Sequence, residues 1–170
     1  MVHTHFRKKA TQKGVASIST EDNMALVRRW REEVYNKKHL AAFDECFDPT
    51  VVDHAFPIGQ QGNLEEIKHF TDTFLAAFPD LHCTIEDMFA VGDKVAVRFT
   101  DIGTQQGTFM EIPPTGKQVT FKSIDILRIA GGKIVEHWHE TDALGVLVQL
   151  GVVPAPGQAS QWIKSQLSTH

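Results

Sequence analysis

Little in this sequence advertises its chemistry. There are two cysteines, Cys46 and Cys83, and they match neither C-x-x-C nor zinc-ligand spacing. They read as free thiols of a reducing compartment, with a single disulfide between them as the other possibility. No stretch approaches the roughly 18 apolar residues of a membrane span, and the amino end lacks the apolar core of a secretory leader, so a cytoplasmic chain with no membrane partner is expected. The formal charge is only -4. No basic stripe interleaves with aromatics, which argues against nucleic acid as a partner. A P-loop, a Rossmann fingerprint, a nucleophile elbow and a catalytic-cysteine signature are all missing. Nine histidines raise the question of a metal. However, His137 and His139 have no third ligand of obvious spacing and no H-E-x-x-H occurs, so neither a metal nor any other cofactor is expected.

What is present suits one domain. A chain of 170 residues can bury a core of its own, and 11 Phe against one Tyr point to a large aromatic interior. Residues 1–19, basic and without an acid, read as a disordered tail, a transit peptide being the alternative. The domain is expected over 20–153 and a C-terminal extension over 154–170, with a weakly amphipathic segment from Gln158 to Leu167. Ser19 or Thr20 ahead of Glu21 and Asp22 marks a helix start, and Met24, Val27, Trp30 and Val34 form its buried stripe. A shorter segment turns Leu40, Phe43 and Phe47 inward and stops at Asp48-Pro49. Asn63 with Glu66 opens a third helix, whose inner side is read as Ile67, Phe70, Phe74 and Phe78.

Beyond Pro79 the pattern alternates. Strands are expected over 82–91, 94–106, 117–129 and 134–141, with tight turns at Gly92-Asp93 and Gly131-Gly132 and a longer connection at Pro113-Pro114-Thr115-Gly116. A last helical turn is placed at Leu144–Leu150. Helices gathered ahead of a mostly antiparallel sheet make this an α+β fold.

The last hairpin carries the chemical argument. A two-residue loop would set Arg128 against Val135 and leave both Arg128 and Glu136 without cross-strand partners. A three-residue loop closed by a Gly132 bulge sets Arg128 against Glu136, Ile126 against Trp138, Leu127 against His137 and Asp125 against His139. In that register Asp125 and His139 share a face with Val135, Ile129, Phe121 and Ser123, while Ile124, Ile126, Ile134 and Trp138 occupy the other. Both faces are apolar. One should line a pocket under the helices and the other should meet a second copy of the chain. Asp125 can fix the tautomer of His139, which can then act as a general base; the bland reading is a satisfied polar pair in the core. Asp53 and His54, ahead of Phe56-Pro57, are candidates for the pocket mouth, or else a turn-capping Asp and a surface His. Arg98 is a candidate for an anionic or carbonyl group, or a solvated strand arginine.

Several pieces in order resemble one family. They are Val52-Asp53-His54 after Asp-Pro, Phe78-Pro79-Asp80-Leu81, Gly92-Asp93-Lys94-Val95, Gly103-Thr104 with Gly107, Ile112 to Gly116, Arg128-Ile129 before Gly132-Lys133-Ile134, and Gln149-Leu150-Gly151. Over residues 22–151 the chain resembles the SnoaL-like polyketide cyclases. The resemblance implies an NTF2-like cone, helices and a curved sheet enclosing a pocket, with a homodimer or larger homo-oligomer built on the outer sheet face. It also implies a hydrophobic small-molecule substrate and cofactor-independent, intramolecular aldol-type cyclisation. In the family a carboxylate removes a proton next to a carbonyl and a histidine on the neighbouring strand assists. Here the family's Asp position falls on His139 and its His position on Asp125, so the two types are exchanged. Either the pair works with inverted roles, or polyketide cyclisation has been lost. Asp142 matches another acidic position and is an alternative base. His54, His137 and Arg98 are the candidate oxyanion donors. An epoxide or ester hydrolase, with Asp142 or Asp125 activating water, and a binding protein without turnover are the rival readings.

Overall fold

The computed structural model describes residues 19–55, 62–155, 157–158, 160 and 163–164. The expected tail at 1–19 lies outside these apart from Ser19, as do Phe56 and most of the segment from Gln158 to Leu167. Helix α1 spans Thr20–Trp30 and runs into a π-helical turn over Arg31–Asn36; α2 (Ala42–Cys46) leads into β1 (Phe47–Asp53). After α3 (Leu64–Ala77) come β2 (His82–Val91), β3 (Lys94–Thr104), β4 (Gln118–Ala130) and β5 (Lys133–Thr141), and α4 (Ala143–Leu150) closes the order.

Capping explains where the helices begin. Ser19 Oγ accepts from the Asp22 N–H and the Asp22 carboxylate accepts from the Ser19 N–H, while Asn63 and Glu66 make the same reciprocal pair at α3. On α3 the buried face is Leu64, Ile67, Thr71, Phe74, Leu75 and Ala77. Phe70, expected inside, stands 57% exposed and stacks on Phe74. The stripe passes through Thr71, four residues after Ile67, a small polar residue that hydropathy alone skips.

The sheet order is β1-β5-β4-β3-β2, antiparallel except for β1 alongside β5. Strand β1 corrects the expectation that the second helical segment runs through Phe47, because Phe47 already pairs with Ile134. Parallel pairing leaves no local signal, since the partner lies far along the chain. The loop after β3 is pinned by Gln105. This fully buried amide donates to the Gly107, Ile112 and Pro113 carbonyls and accepts from Thr115. Gly107 sits against the end of α3, where a Cβ would come within 2.9 Å of Ala77 Cα.

Hairpin β4–β5 has the expected pairing, reached by a different device. The turn is a two-residue one, with Gly131 and Gly132 at φ 58° and 79° and Ala130 opposite Lys133. The extra residue is Val135, left between the pairs Ile129 with Ile134 and Arg128 with Glu136. Beyond this bulge Leu127 faces His137, Ile126 faces Trp138 and Asp125 faces His139. The displaced bulge corrects one assignment: Ile134 is fully buried and Val135 only partly so.

Along β4 the inner face reads Val119, Phe121, Ser123, Asp125, Leu127 and Ile129, all buried. Val119 and Phe121 belong to a cluster with Phe74, Phe78, Phe109 and Val146, whereas Leu127 and Ile129 belong to one with Trp30, Phe43, Phe47 and Phe99. The polar residues sit at the seam between two apolar cores. On the outer face Phe89, Val91, Ile102, Ile124 and Ile126 are exposed. Among the described residues no helix is long and apolar enough to cross a membrane.

Candidate functional site

Asp125 is the centre of the seam. Its side chain is fully buried, with Oδ1 2.6 Å from His139 Nδ1 and Oδ2 3.3 Å from His137 Nε2. On the far side of His137, Nδ1 stands 3.4 Å from Asp53 Oδ2. Asp53 is delivered by β1, paired in register with His137, and its other oxygen accepts from the Ala55 N–H. Four titratable side chains from three adjacent strands therefore form a row: Asp53, His137, Asp125, His139.

Electrostatics assigns states along the row. Burial by itself would push the Asp125 carboxyl up, but the charge of His137 at 3.3 Å, the hydrogen bond of His139 and the charge of Arg31 hold it well below the usual carboxylate range. Burial would likewise push His137 down. The Asp125 carboxylate, and after it Asp53, reverse that and raise His137 to about 9. The imidazole thus stays protonated at neutral pH, although neither of its nitrogens is aligned for a hydrogen bond. With Asp125 ionised, the 2.6 Å contact requires His139 Nδ1 to carry the proton. The lone pair is then on Nε2, which no described residue engages. His139 is half-buried and lies against Phe99.

The remaining candidates lie elsewhere. His54 stacks on Trp138 at 4.6 Å, on the outer side of the sheet. Arg98 faces the same outer side as Ile124 and donates to Asp87 at 2.6 and 3.0 Å. Asp142 caps α4 through the Gly145 N–H and contacts none of the row. Phe56 is outside the described residues. A groove of about 290 Å³ lined by Asp22, Asn23, Ala25, Leu26, Arg29 and Gly132 includes none of the candidate residues.

Arg31 and Asp101 are new to the site. Both are buried, with Nη2 3.7 Å from Asp101 Oδ2. The guanidinium lies 3.3 Å from the centroid of Phe99 and 4.2 Å from that of Tyr35. Burial pushes the Tyr35 phenol up to about 12 and the Cys83 thiol up to about 12, so both are neutral. A sequence signal existed: Arg31 follows Val27 by four residues and precedes Tyr35 by four, placing it on the buried stripe of α1 rather than with exposed Arg28 and Arg29.

Asp125, His137 and His139 also offer one ligand atom each within 4.8 Å of one another, a set that could hold a divalent cation. At 2.6 Å, however, the Asp125–His139 pair already shares a proton that a cation would have to displace.

Known proteins share this fold. A sequence model of the SnoaL-like polyketide cyclase family matches residues 25–150. AclR from Streptomyces galilaeus, a candidate hydroxylase, is 30% identical with a TM-score of 0.74, covering 80% of this chain and 100% of its own. IdmH from Streptomyces antibioticus, a candidate polyketide cyclase, is 30% identical with a TM-score of 0.67, covering 78% and 99%. A candidate SnoaL-like cyclase from Jannaschia sp. CCS1, 24% identical, shares the NTF2-like fold at a TM-score of 0.72 over 84% and 99%. No match was found among curated proteins. With the family pattern running through 25–150 and the fold shared over 80% of its length, this chain belongs to the SnoaL-like polyketide cyclase family.

Proposed function

We propose that this protein is a cofactor-independent enzyme that removes a proton from the carbon next to the carbonyl of a hydrophobic compound, in the manner of an intramolecular aldol cyclisation. The observation that carries the reading is the 2.6 Å bond from His139 Nδ1 to fully buried Asp125. It leaves Nε2 as the proton acceptor. Asp125 orients the ring and stabilises the imidazolium that forms, and His137, cationic between two carboxylates, keeps Asp125 ionised. The roles of the family's Asp and His are thereby inverted rather than lost. The apolar patch formed by Phe89, Ile124 and Ile126 supports a homo-oligomer joined through the outer face, which light scattering would read.

The test is α-proton exchange. Propiophenone in deuterated buffer with the wild-type protein should lose its α-proton NMR signal faster than in buffer, and H139Q should lose that acceleration while keeping its thermal melt. Equal rates for wild type and H139Q would remove His139 as the base. The likeness to AclR favours one alternative, transfer of oxygen to the substrate. Product carrying oxygen from ¹⁸O-labelled dioxygen, the oxidant such a transfer needs, would select that reading over cyclisation.

A further inference from the structure

Proton transfer through His139 leaves two features of the row Asp53, His137, Asp125 and His139 unused. The first is a surplus of polar atoms. Asp125 Oδ2, His137 Nδ1 and His137 Nε2 are buried without a hydrogen bond, although the ring nitrogens lie only 3.4 Å from Asp53 and 3.3 Å from Asp125. Buried polar atoms left unbonded are costly, and three on two neighbouring side chains are unusual in a packed interior. Neither residue has much surface, His137 being 7% exposed and Asp125 fully buried.

The second is convergence. One nitrogen of His137, one of His139 and one oxygen of Asp125 lie within 4.8 Å of one another. Ligands on a tetrahedral zinc ion, with bonds of about 2.0–2.2 Å, stand roughly 3.3–3.6 Å apart, so an inward shift of at most about 1.5 Å completes the set. Two imidazoles and one carboxylate suit zinc, whereas magnesium and calcium take oxygen donors. Behind His137, Asp53 stands where a carboxylate holds the far N–H of a metal-bound imidazole. Asp53 and Asp125 together match the charge of one divalent ion, and Arg31, whose charge reaches Asp125, is offset by Asp101 at 3.7 Å. The pairing of three strands sets these positions, Asp53 opposite His137 and Asp125 opposite His139. The His139 side chain, 31% exposed, is the way in for a cation.

We propose that Asp125, His137 and His139, backed by Asp53, form an inhibitory zinc site that switches off proton abstraction when occupied. Zinc takes His139 Nδ1 in place of the proton shared with Asp125. That proton leaves, and the neutral ring carries its one N–H on Nε2, so the lone pair that would accept the substrate proton is gone. His137 gives up one proton to coordinate through Nε2 and keeps Nδ1–H directed at Asp53. The inhibition rests on the acid/base reading of His139; the binding of zinc does not.

The test uses chelator-treated protein titrated with zinc chloride, with magnesium chloride as control. By calorimetry the wild type should bind one zinc ion at this site. D53N should bind it about 10–100-fold more weakly, the usual loss when the group behind a metal-bound histidine is removed, and H139Q, lacking a ligand, at least about 100-fold more weakly. Magnesium should neither bind there nor inhibit. In ¹⁵N–¹H spectra of histidine-labelled protein, zinc should move the His139 proton from Nδ1 to Nε2, and propiophenone exchange should fall to the H139Q rate. Zinc binding that D53N and H139Q leave unchanged, as at histidines elsewhere on the chain, overturns the site. So does a His139 ring that keeps its Nδ1–H in saturating zinc. Exchange that continues at full rate with His139 on zinc, or equal inhibition by magnesium, overturns the switch. In each of these cases, His139-dependent exchange by the metal-free protein keeps the acid/base reading. Zinc held by the row in a protein with no such exchange leaves the metal site standing and removes both that reading and the inhibition.

Discussion

Replacing Asp125 with Asn removes one charge and little volume, yet it strikes the most connected group of the row. The carboxylate is fully buried, bonded to His139 at 2.6 Å and 3.3 Å from His137. In D125N the cationic His137 keeps only Asp53, at 3.4 Å, and burial then dominates, so its pKa falls from about 9 toward and below the ordinary imidazole value. Breaking a buried pair costs about 3–5 kcal/mol when the partner stays charged, and release of the His137 proton limits the loss to the lower end. The amide also no longer fixes the His139 tautomer. By analogy with other carboxylate-oriented histidines, proton abstraction should drop by a factor of about 10⁴. Two-dimensional ¹⁵N–¹H spectra of histidine-labelled protein over a pH series read the His137 pKa, and α-proton exchange reads the rate. A His137 that titrates unchanged in D125N would refute the electrostatic reasoning, whatever the rate did.

The same geometry sets four further outcomes. Because the folded pKa of His137 is raised above its unfolded value, its contribution to stability is complete below pH 6.5 and is lost as pH rises through about 9. Denaturant melts should show a loss of at most about 3 kcal/mol across that window in wild type and none of it in H137Q. R98A should change stability by no more than about 1 kcal/mol and leave turnover alone, since its pair with Asp87 is exposed; a large loss of activity would return Arg98 to the site. Dialysis against a chelator should leave exchange activity intact, and activity lost and then restored by a divalent cation would reassign Asp125, His137 and His139 to a metal. Deleting Val135 should restore a regular ladder and keep Asp125 opposite His139, so NOEs between their strands should persist; their disappearance would show that the bulge sets the register.

The sequence carried the site's centre for a reason peculiar to hairpins. Glycines at 131 and 132, together with the need to pair Arg128 with Glu136, fix every cross-strand neighbour back to Asp125 and His139, so local chemistry determines a contact inside the protein. The cap residues Ser19, Asp22, Asn63 and Glu66 were legible in the same way. The position of the bulge was not, since a Gly132 bulge and a Val135 bulge give the same pairing beyond Arg128 and differ only in which of Ile134 and Val135 is buried. Asp53 could be seen as a candidate but not placed, because its partner His137 comes from a parallel strand 84 residues away with no turn to connect them. Arg31 was hidden by its company: among Arg28, Arg29 and Arg31 only the helical phase separates the buried one, and a buried guanidinium is the rarer reading of an arginine in a helix.

The proposed proton abstraction by this row depends on which end of His139 is available. In ¹⁵N spectra taken where the ring is neutral, the 2.6 Å bond predicts a proton on Nδ1, held by Asp125, and a bare Nε2 whose resonance moves when propiophenone is added. A proton found on Nε2, with Nδ1 bare, would contradict it.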